Sequence, residues 1–108
     1  KECRGRICIR NPSAIWAGLK FVAVWDQKDL RAAKKARVRW PIEVVRTVVV
    51  DTAGNVSNLA HVSGTVAEPA IKPAVASDGK GATLIAYERH PKAGDVPIKI
   101  GFRMLKQH

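Results

Sequence analysis

A group of cationic side chains beside a tryptophan is the strongest candidate for binding chemistry in this sequence. The group consists of Lys34, Lys35, Arg37, Arg39 and Trp40. The cations could hold the phosphates of an anionic ligand, and the indole could stack on a base or a sugar. Alternatively, the segment is a solvated loop that protects a sheet edge or lies across an acidic neighbour, with Trp40 used for packing. We predict that any ligand site includes these residues.

The cysteines offer a second kind of chemistry. Cys3 and Cys8 are the two cysteines of the chain, and their Cys-x₄-Cys spacing suits a small hairpin closed by a disulfide. This is not the Cys-x-x-Cys spacing of redox and zinc sites, and no paired histidines supply further ligands. The alternative is that one cysteine tethers a partner chain. We predict a Cys3–Cys8 disulfide and no metal site.

Catalytic motifs are incomplete in this sequence. His61, His90 and His108 are scattered, without the local pairing that a metal site or a nucleophile relay needs. Residues 51–54 (Asp-Thr-Ala-Gly) match an element of small GTPases, but the phosphate-binding Gly-x₄-Gly-Lys-[Ser/Thr] loop is missing. We therefore nominate no catalytic residue and no cofactor, and whether the protein is an enzyme stays open.

The elements that must position these residues occur twice in the chain. Residues 11–26 align with residues 72–88 when one inserted residue is allowed. A repeat of this length predicts units that stack on one another. The repeat duplicates one acidic residue, as Asp26 and Glu88. Because a duplicated carboxylate suits a shared structural role, we expect both carboxylates to bond backbone amides in the turns. The matched pairs are Pro12 with Pro73, Gly18 with Gly79, Trp25 with Tyr87, and Asp26 with Glu88.

Both copies have the pattern of short antiparallel strands. Runs of β-branched and aromatic residues between glycine-bearing turns predict strands, each copy beginning at its proline. Between two strands of the first copy, residues 28–40 predict a short basic helix that Asp29 caps and Pro41 ends. The predicted strands are 14–17, 21–25, 44–50 and 60–66 in the first copy, and 74–77, 84–87 and 96–105 in the second.

The sequence resembles the blades of bacterial tandem-repeat β-propellers. Residues 73–79 (Pro-Ala-Val-Ala-Ser-Asp-Gly) and residues 21–26 carry the resemblance. It implies an all-β fold with about two antiparallel propeller-like blades, as part of a larger or multi-chain propeller. Such propellers serve as enzymes, lectins and scaffolds, so the fold does not choose the function. We expect a basic segment with the cysteine pair at 1–10, a first repeat at 11–66 and a second at 67–108.

The charge balance indicates an acidic partner. The chain has 19 Lys and Arg residues against 9 Asp and Glu, a net charge of +10. Such a charge attracts a companion polypeptide, an anionic glycan or a nucleic acid. No apolar run approaches the ~20 residues of a transmembrane helix. The start at Lys1 and the even cysteine count lead us to expect a processed chain in a secreted or periplasmic protein.

These observations together predict a non-catalytic structural or binding portion of a secreted bacterial β-propeller. We expect it to associate with an acidic partner chain, with copies of itself, or with a glycan, as a carbohydrate-binding module would. Two alternatives stay open. The chain could be a subunit of a processed secreted hydrolase with its catalytic residues mainly on a partner chain, or a basic nucleic-acid-binding domain.

Overall fold

A computed structural model describes residues 7–29, 42–92 and 94–106, with the backbone alone for Ile7 and Asp29. All the regular elements within these ranges are β-strands, which confirms the all-β prediction. Strands β1 to β4 form one antiparallel sheet in sequential order, and β5 to β7 form a second. The strands are β1 (Ile7–Trp16), β2 (Phe21–Asp29), β3 (Ile42–Val50), β4 (Val56–Ser63), β5 (Ala70–Ser77), β6 (Ala82–Arg89) and β7 (Lys99–Lys106).

The two sheets pack face to face around a shared apolar core. Successive side chains of a strand point to opposite faces, so β2 and β3 each present alternate residues to the second sheet. Strand β5 lies against β1, β2 and β3. The first sheet contributes Val22, Val24 and Val45 to the buried cluster, and the second contributes Ile85 and Tyr87. Burial of this apolar surface is what holds the sheets together.

The sequence repeat is also a structural repeat. Asn11 and Lys72 have left-handed backbone angles (φ 51° and 53°), and each precedes its copy's proline. The pairing register shifts at the same point in both sheets, between Arg10 and Ser13 and again in β5. These shifts are β-bulges, and a bulge tolerates a residue without an N–H group. The prolines therefore lie inside their strands, and the prediction that strands begin there is wrong.

Cross-strand partners repeat position by position in the two sheets. Asp26 of β2 faces Val45 of β3, and its counterpart Glu88 of β6 faces Ile100 of β7. The same correspondence runs along the rest of both strand pairs. Strand β7 is thus the counterpart of β3, and the second sheet repeats the first without a fourth strand among the described residues.

The turns after the first strand of each sheet touch one another. The amide of Gly81 donates a hydrogen bond to the carbonyl oxygen of Ala17 at 2.8 Å. Gly18 has a φ of 104°, and a Cβ atom at that position would overlap the carbonyl oxygen of Gly79. Glycine is therefore required at residue 18 both for its backbone angle and for this close approach.

Several predicted boundaries need correction. Strand β1 begins at Ile7 and not at residue 14, because it pairs with β2 along its length. Strand β5 begins at Ala70 and strand β7 at Lys99, not at residues 74 and 96. Strand β4 begins at Val56 and ends at Ser63, earlier than predicted. Lys28 and Asp29 are the last residues of β2, not the start of a helix. The rest of the predicted helix, residues 30–40, lies outside the described residues.

Candidate functional site

Most of the predicted site residues lie outside the described part of the chain. This holds for the whole basic cluster and for Cys3, whereas Cys8 lies in β1. The anionic ligand site and the Cys3–Cys8 disulfide therefore stay predictions. The residues concerned in the cluster are Lys34, Lys35, Arg37, Arg39 and Trp40.

The described residues hold one fully buried carboxylate, that of Asp26, at the contact between the two sheets. Its exposed fraction is 0%. Its Oδ2 accepts a hydrogen bond from the backbone amide of Lys72 at 2.8 Å and another from Nδ2 of Asn11 at 2.7 Å. A buried carboxylate is tolerated only when such donors replace the lost water.

Arg10 supplies the opposite charge at this site. Its Nε lies 3.3 Å from Oδ1 of Asp26, which is close enough for an ion pair, but the two groups are not aligned for a hydrogen bond. The same guanidinium donates a hydrogen bond to Oε2 of Glu43 at 2.6 Å. Arg10 thus bridges the buried carboxylate of Asp26 and the partly exposed carboxylate of Glu43.

The arrangement around Asp26 is structural. Its two hydrogen-bond donors belong to the bulge residues of both sheets, Asn11 in β1 and Lys72 in β5. The expectation that the acidic pair bonds backbone amides therefore holds for Asp26, but the amide lies in the bulge of the other repeat and not in a turn. Glu88, its counterpart, contacts Nε2 of His90 at 2.9 Å.

Positive side chains gather at the edge where β3, β4 and β7 approach. His61 is the cross-strand partner of Arg46, and Arg103 donates a hydrogen bond to the carbonyl oxygen of Val62 at 3.5 Å. Burial lowers the pKa of His61, and the charges of Arg46 and Arg103 lower it further. Nε of Arg46 is buried and has no hydrogen-bond partner among the described residues.

A cavity of about 370 Å³ opens between the sheets beside this edge. Its apolar wall includes Val49, Ala60 and Leu105, and the ammonium-bearing side chains of Lys20 and Lys106 also line it. Such a lining suits a small molecule with an apolar body and an acidic group. Its described lining residues include no carboxylate and no histidine.

The second sheet turns an apolar face to solvent. Ile100, Phe102 and Met104 of β7 are 58%, 63% and 54% exposed and lie on one face. Neighbouring β6 adds Leu84 and Ala86 to that face. Sequence reasoning placed strands here but missed this surface. The alternation of apolar and other residues in β7 was the available signal, because it predicts that one side of the strand is apolar.

Catalytic and metal-binding arrangements are sparse in what the structure describes. Within residues 7–29, 42–92 and 94–106, no three His, Cys, Asp or Glu side chains lie together in a way that could hold a metal ion. No helix in the same ranges is long and apolar enough to cross a membrane.

Comparisons with protein-family models, with curated proteins and with solved structures found no match to this chain. The propeller resemblance therefore stays an interpretation of the sequence.

Proposed function

We propose that this chain is a pair of adjacent propeller-like blades that acts as a non-catalytic structural and binding module of a secreted bacterial protein. The observation that carries the proposal is the contact of Asp26 with the amide of Lys72. This hydrogen bond joins the first repeat to the bulge of the second. Asp26 and Lys72 each have a counterpart at the equivalent position of the other repeat. Such a contact serves stacking of repeated sheets, in which each unit touches its neighbours.

The geometry of Asp26 favours a structural over a catalytic role. A catalytic carboxylate must reach a substrate or a water molecule. Asp26 is instead closed off from solvent, and its oxygens face donors from Asn11, Lys72 and Arg10. A chemical step at this carboxylate would require the two sheets to separate.

The charge distribution supports a binding role toward an acidic companion chain or an anionic glycan. The net charge is +10, and the guanidinium groups of Arg46 and Arg103 both lie close enough to His61 to lower its pKa. The predicted basic cluster at 34–40 would add to the same attraction. Clefts and edges of one charge sign raise the local concentration of oppositely charged partners and speed their association.

The proposal is tested by titrating the full chain with heparin and with polyglutamate, which represent an anionic glycan and an acidic polypeptide. The test variant replaces Lys34, Lys35, Arg37 and Arg39 by Gln. At ~0.3–1 kcal/mol for each of the four lost surface ion pairs, affinity should fall roughly tenfold to a thousandfold. The control variant replaces Lys72, Lys80, Lys92 and Lys99 by Gln, which removes the same charge elsewhere, and should lose much less.

Equal losses in the two variants would reject the basic cluster as a site, because net charge alone would then explain the attraction. Failure of the unmodified chain to bind either polymer would reject the binding role. Tighter binding to a DNA oligonucleotide than to either polymer, at equal salt, would overturn the proposal in favour of a nucleic-acid-binding domain.

A further inference from the structure

The exposed apolar face of the second sheet is the counterpart of a face that is buried in the first. Ile100, Phe102 and Met104 occupy the repeat positions of Val45, Thr47 and Val49. The latter three side chains are 0%, 2% and 7% exposed, because the second sheet covers them. In the second repeat, three apolar side chains are therefore exposed to solvent. The equivalent side chains of the first repeat lie inside an interface.

Strand β6 shows the same relation. Leu84 and Ala86 correspond to Val22 and Val24, and both valines are fully buried against the second sheet. The whole face thus has the composition of a sheet-to-sheet interface and lacks only the covering sheet. An apolar patch of this kind marks an interaction surface.

The first sheet carries the matching open face on its opposite side. Phe21, Ala23 and Trp25 correspond to Thr83, Ile85 and Tyr87, the residues with which the second sheet contacts the first. Phe21 is 41% exposed, and its ring lies edge-on to that of Trp16 with centroids 4.9 Å apart. The outer face of the first sheet therefore exposes aromatic side chains. The equivalent residues of the second sheet form the interface between the two sheets.

The polar contact at the sheet boundary has a counterpart as well. Glu88 occupies the position of Asp26, with a side chain that is 32% exposed and directed to the open face. Asn11 occupies the position of Lys72 and has the same left-handed backbone angle. In a continued stack, the carboxylate of Glu88 would meet the bulge amide of Asn11, as Asp26 meets that of Lys72.

From this correspondence we infer that the open face of the second sheet docks the outer face of the first sheet of a second copy of this chain. The inference rests on the proposed stacking of blade-like repeats. Since two different surfaces meet, the contact is head-to-tail, and further copies can add until the assembly closes into a ring. We assign a second copy as the occupant for the following reason. The outer face of its first sheet is equivalent to the face of the second sheet that, within one chain, covers Val45, Thr47 and Val49.

The test measures the mass of the native chain by sedimentation equilibrium over a wide range of concentration. The unmodified protein should form species heavier than the 11.8 kDa monomer. Phe102→Asp and Phe21→Asp each place a charge in one of the two faces, and each should weaken association at least about tenfold. Ala53→Asp is the matched control, since Ala53 is exposed in the turn between β3 and β4 and belongs to no strand of either face; it should associate as the unmodified chain does.

Mixing the two variants separates head-to-tail docking from other modes. The Phe102→Asp chain keeps an intact first-sheet face, and the Phe21→Asp chain keeps an intact second-sheet face. Their mixture should therefore form a one-to-one dimer and nothing larger. Far-UV circular dichroism and thermal unfolding of each variant show that it is folded before its mass is interpreted.

A monomer at every concentration would overturn the inference, as would association that Phe102→Asp and Ala53→Asp weaken equally. A mixture of the two variants that stays monomeric, while the unmodified chain associates, would exclude the head-to-tail contact. None of these results depends on heparin or polyglutamate binding, so failure of the inference and failure of the proposed function are distinguishable.

Discussion

Asp26 is the residue on which the polar part of the sheet-to-sheet contact depends. Its carboxylate joins groups that are far apart in the chain, since the amide it binds belongs to a residue 46 positions away. A buried acceptor that keeps all its donors adds modest net stability, but loss of the acceptor leaves those donors unsatisfied. The stability of the fold should therefore respond to changes at this side chain more than to changes at any exposed acid.

We expect Asp26→Ala to lower the free energy of unfolding by about 2–4 kcal/mol, because the Lys72 amide and the Asn11 side chain would lose their acceptor. Asp26→Asn keeps the shape and one acceptor, so its effect should be smaller, about 1–2 kcal/mol. Urea denaturation measures both. Asp95→Ala, at an exposed turn position, serves as the control and should change stability by less than ~0.5 kcal/mol. An Asp26→Ala variant as stable as the control would contradict the structural role.

His61 should make stability depend on pH. Burial, then Arg46, hold the pKa of His61 in the folded protein below its ordinary value of 6.5. The unfolded chain therefore binds more protons than the folded chain as the pH falls through 6.5, so acidification should reduce stability. His61→Gln should flatten this slope, and Arg46→Gln should raise the pKa of His61. Urea midpoints at several pH values and an NMR titration of the imidazole test both statements; an unshifted His61 titration would refute them.

At the scale of elements, the turns and bulges determine how the sheets meet. The bulges at Asn11 and Lys72 bring strand backbone into the interface, and the glycine turns at residues 18 and 79 allow two loops to touch. The strands themselves follow from runs of valine, isoleucine and aromatic residues, which the sequence shows directly. The start of β1 was missed because cationic residues and the Asn-Pro pair interrupt its apolar pattern, while pairing with β2 overrides that local signal.

Gly18→Ala tests the turn contact. The substitution adds backbone strain at φ 104° and a Cβ atom that overlaps the carbonyl oxygen of Gly79, so we expect a loss of about 2–4 kcal/mol in the free energy of unfolding. Gly54→Ala is the matched control, because Gly54 also has a positive φ of 87° but open space around its Cβ position. The control should lose about 1 kcal/mol from backbone strain alone. Equal losses would show that the contact between the turns adds nothing.

At the scale of the whole molecule, two features act in opposite directions. The apolar faces of the two sheets favour stacking of copies, whereas the net charge of +10 on each copy opposes it. The same charge favours binding of an acidic partner. Salt separates the two effects, because it screens charge and leaves apolar burial in place.

Raising the salt from ~0.1 M to ~1 M, which shortens the Debye length from about 10 Å to about 3 Å, should therefore change the two kinds of association in opposite senses. Self-association of the chain should strengthen, and heparin binding should weaken. Sedimentation equilibrium and a heparin titration at both salt concentrations measure this. Self-association that falls with salt would show that ion pairs, and not the Ile100, Phe102 and Met104 face, hold the copies together.

The sequence by itself determined the all-β class, the repeat and the equivalence of Asp26 with Glu88, because strand patterns and turn glycines are properties of neighbouring residues. It could not determine that Asp26 binds the amide of Lys72, since that contact exists only when two distant bulges meet. Nor could it tell that Phe102 lies in solvent while Val45 is buried. Alternation shows that a strand has an apolar side, and only the tertiary structure decides whether another sheet covers that side.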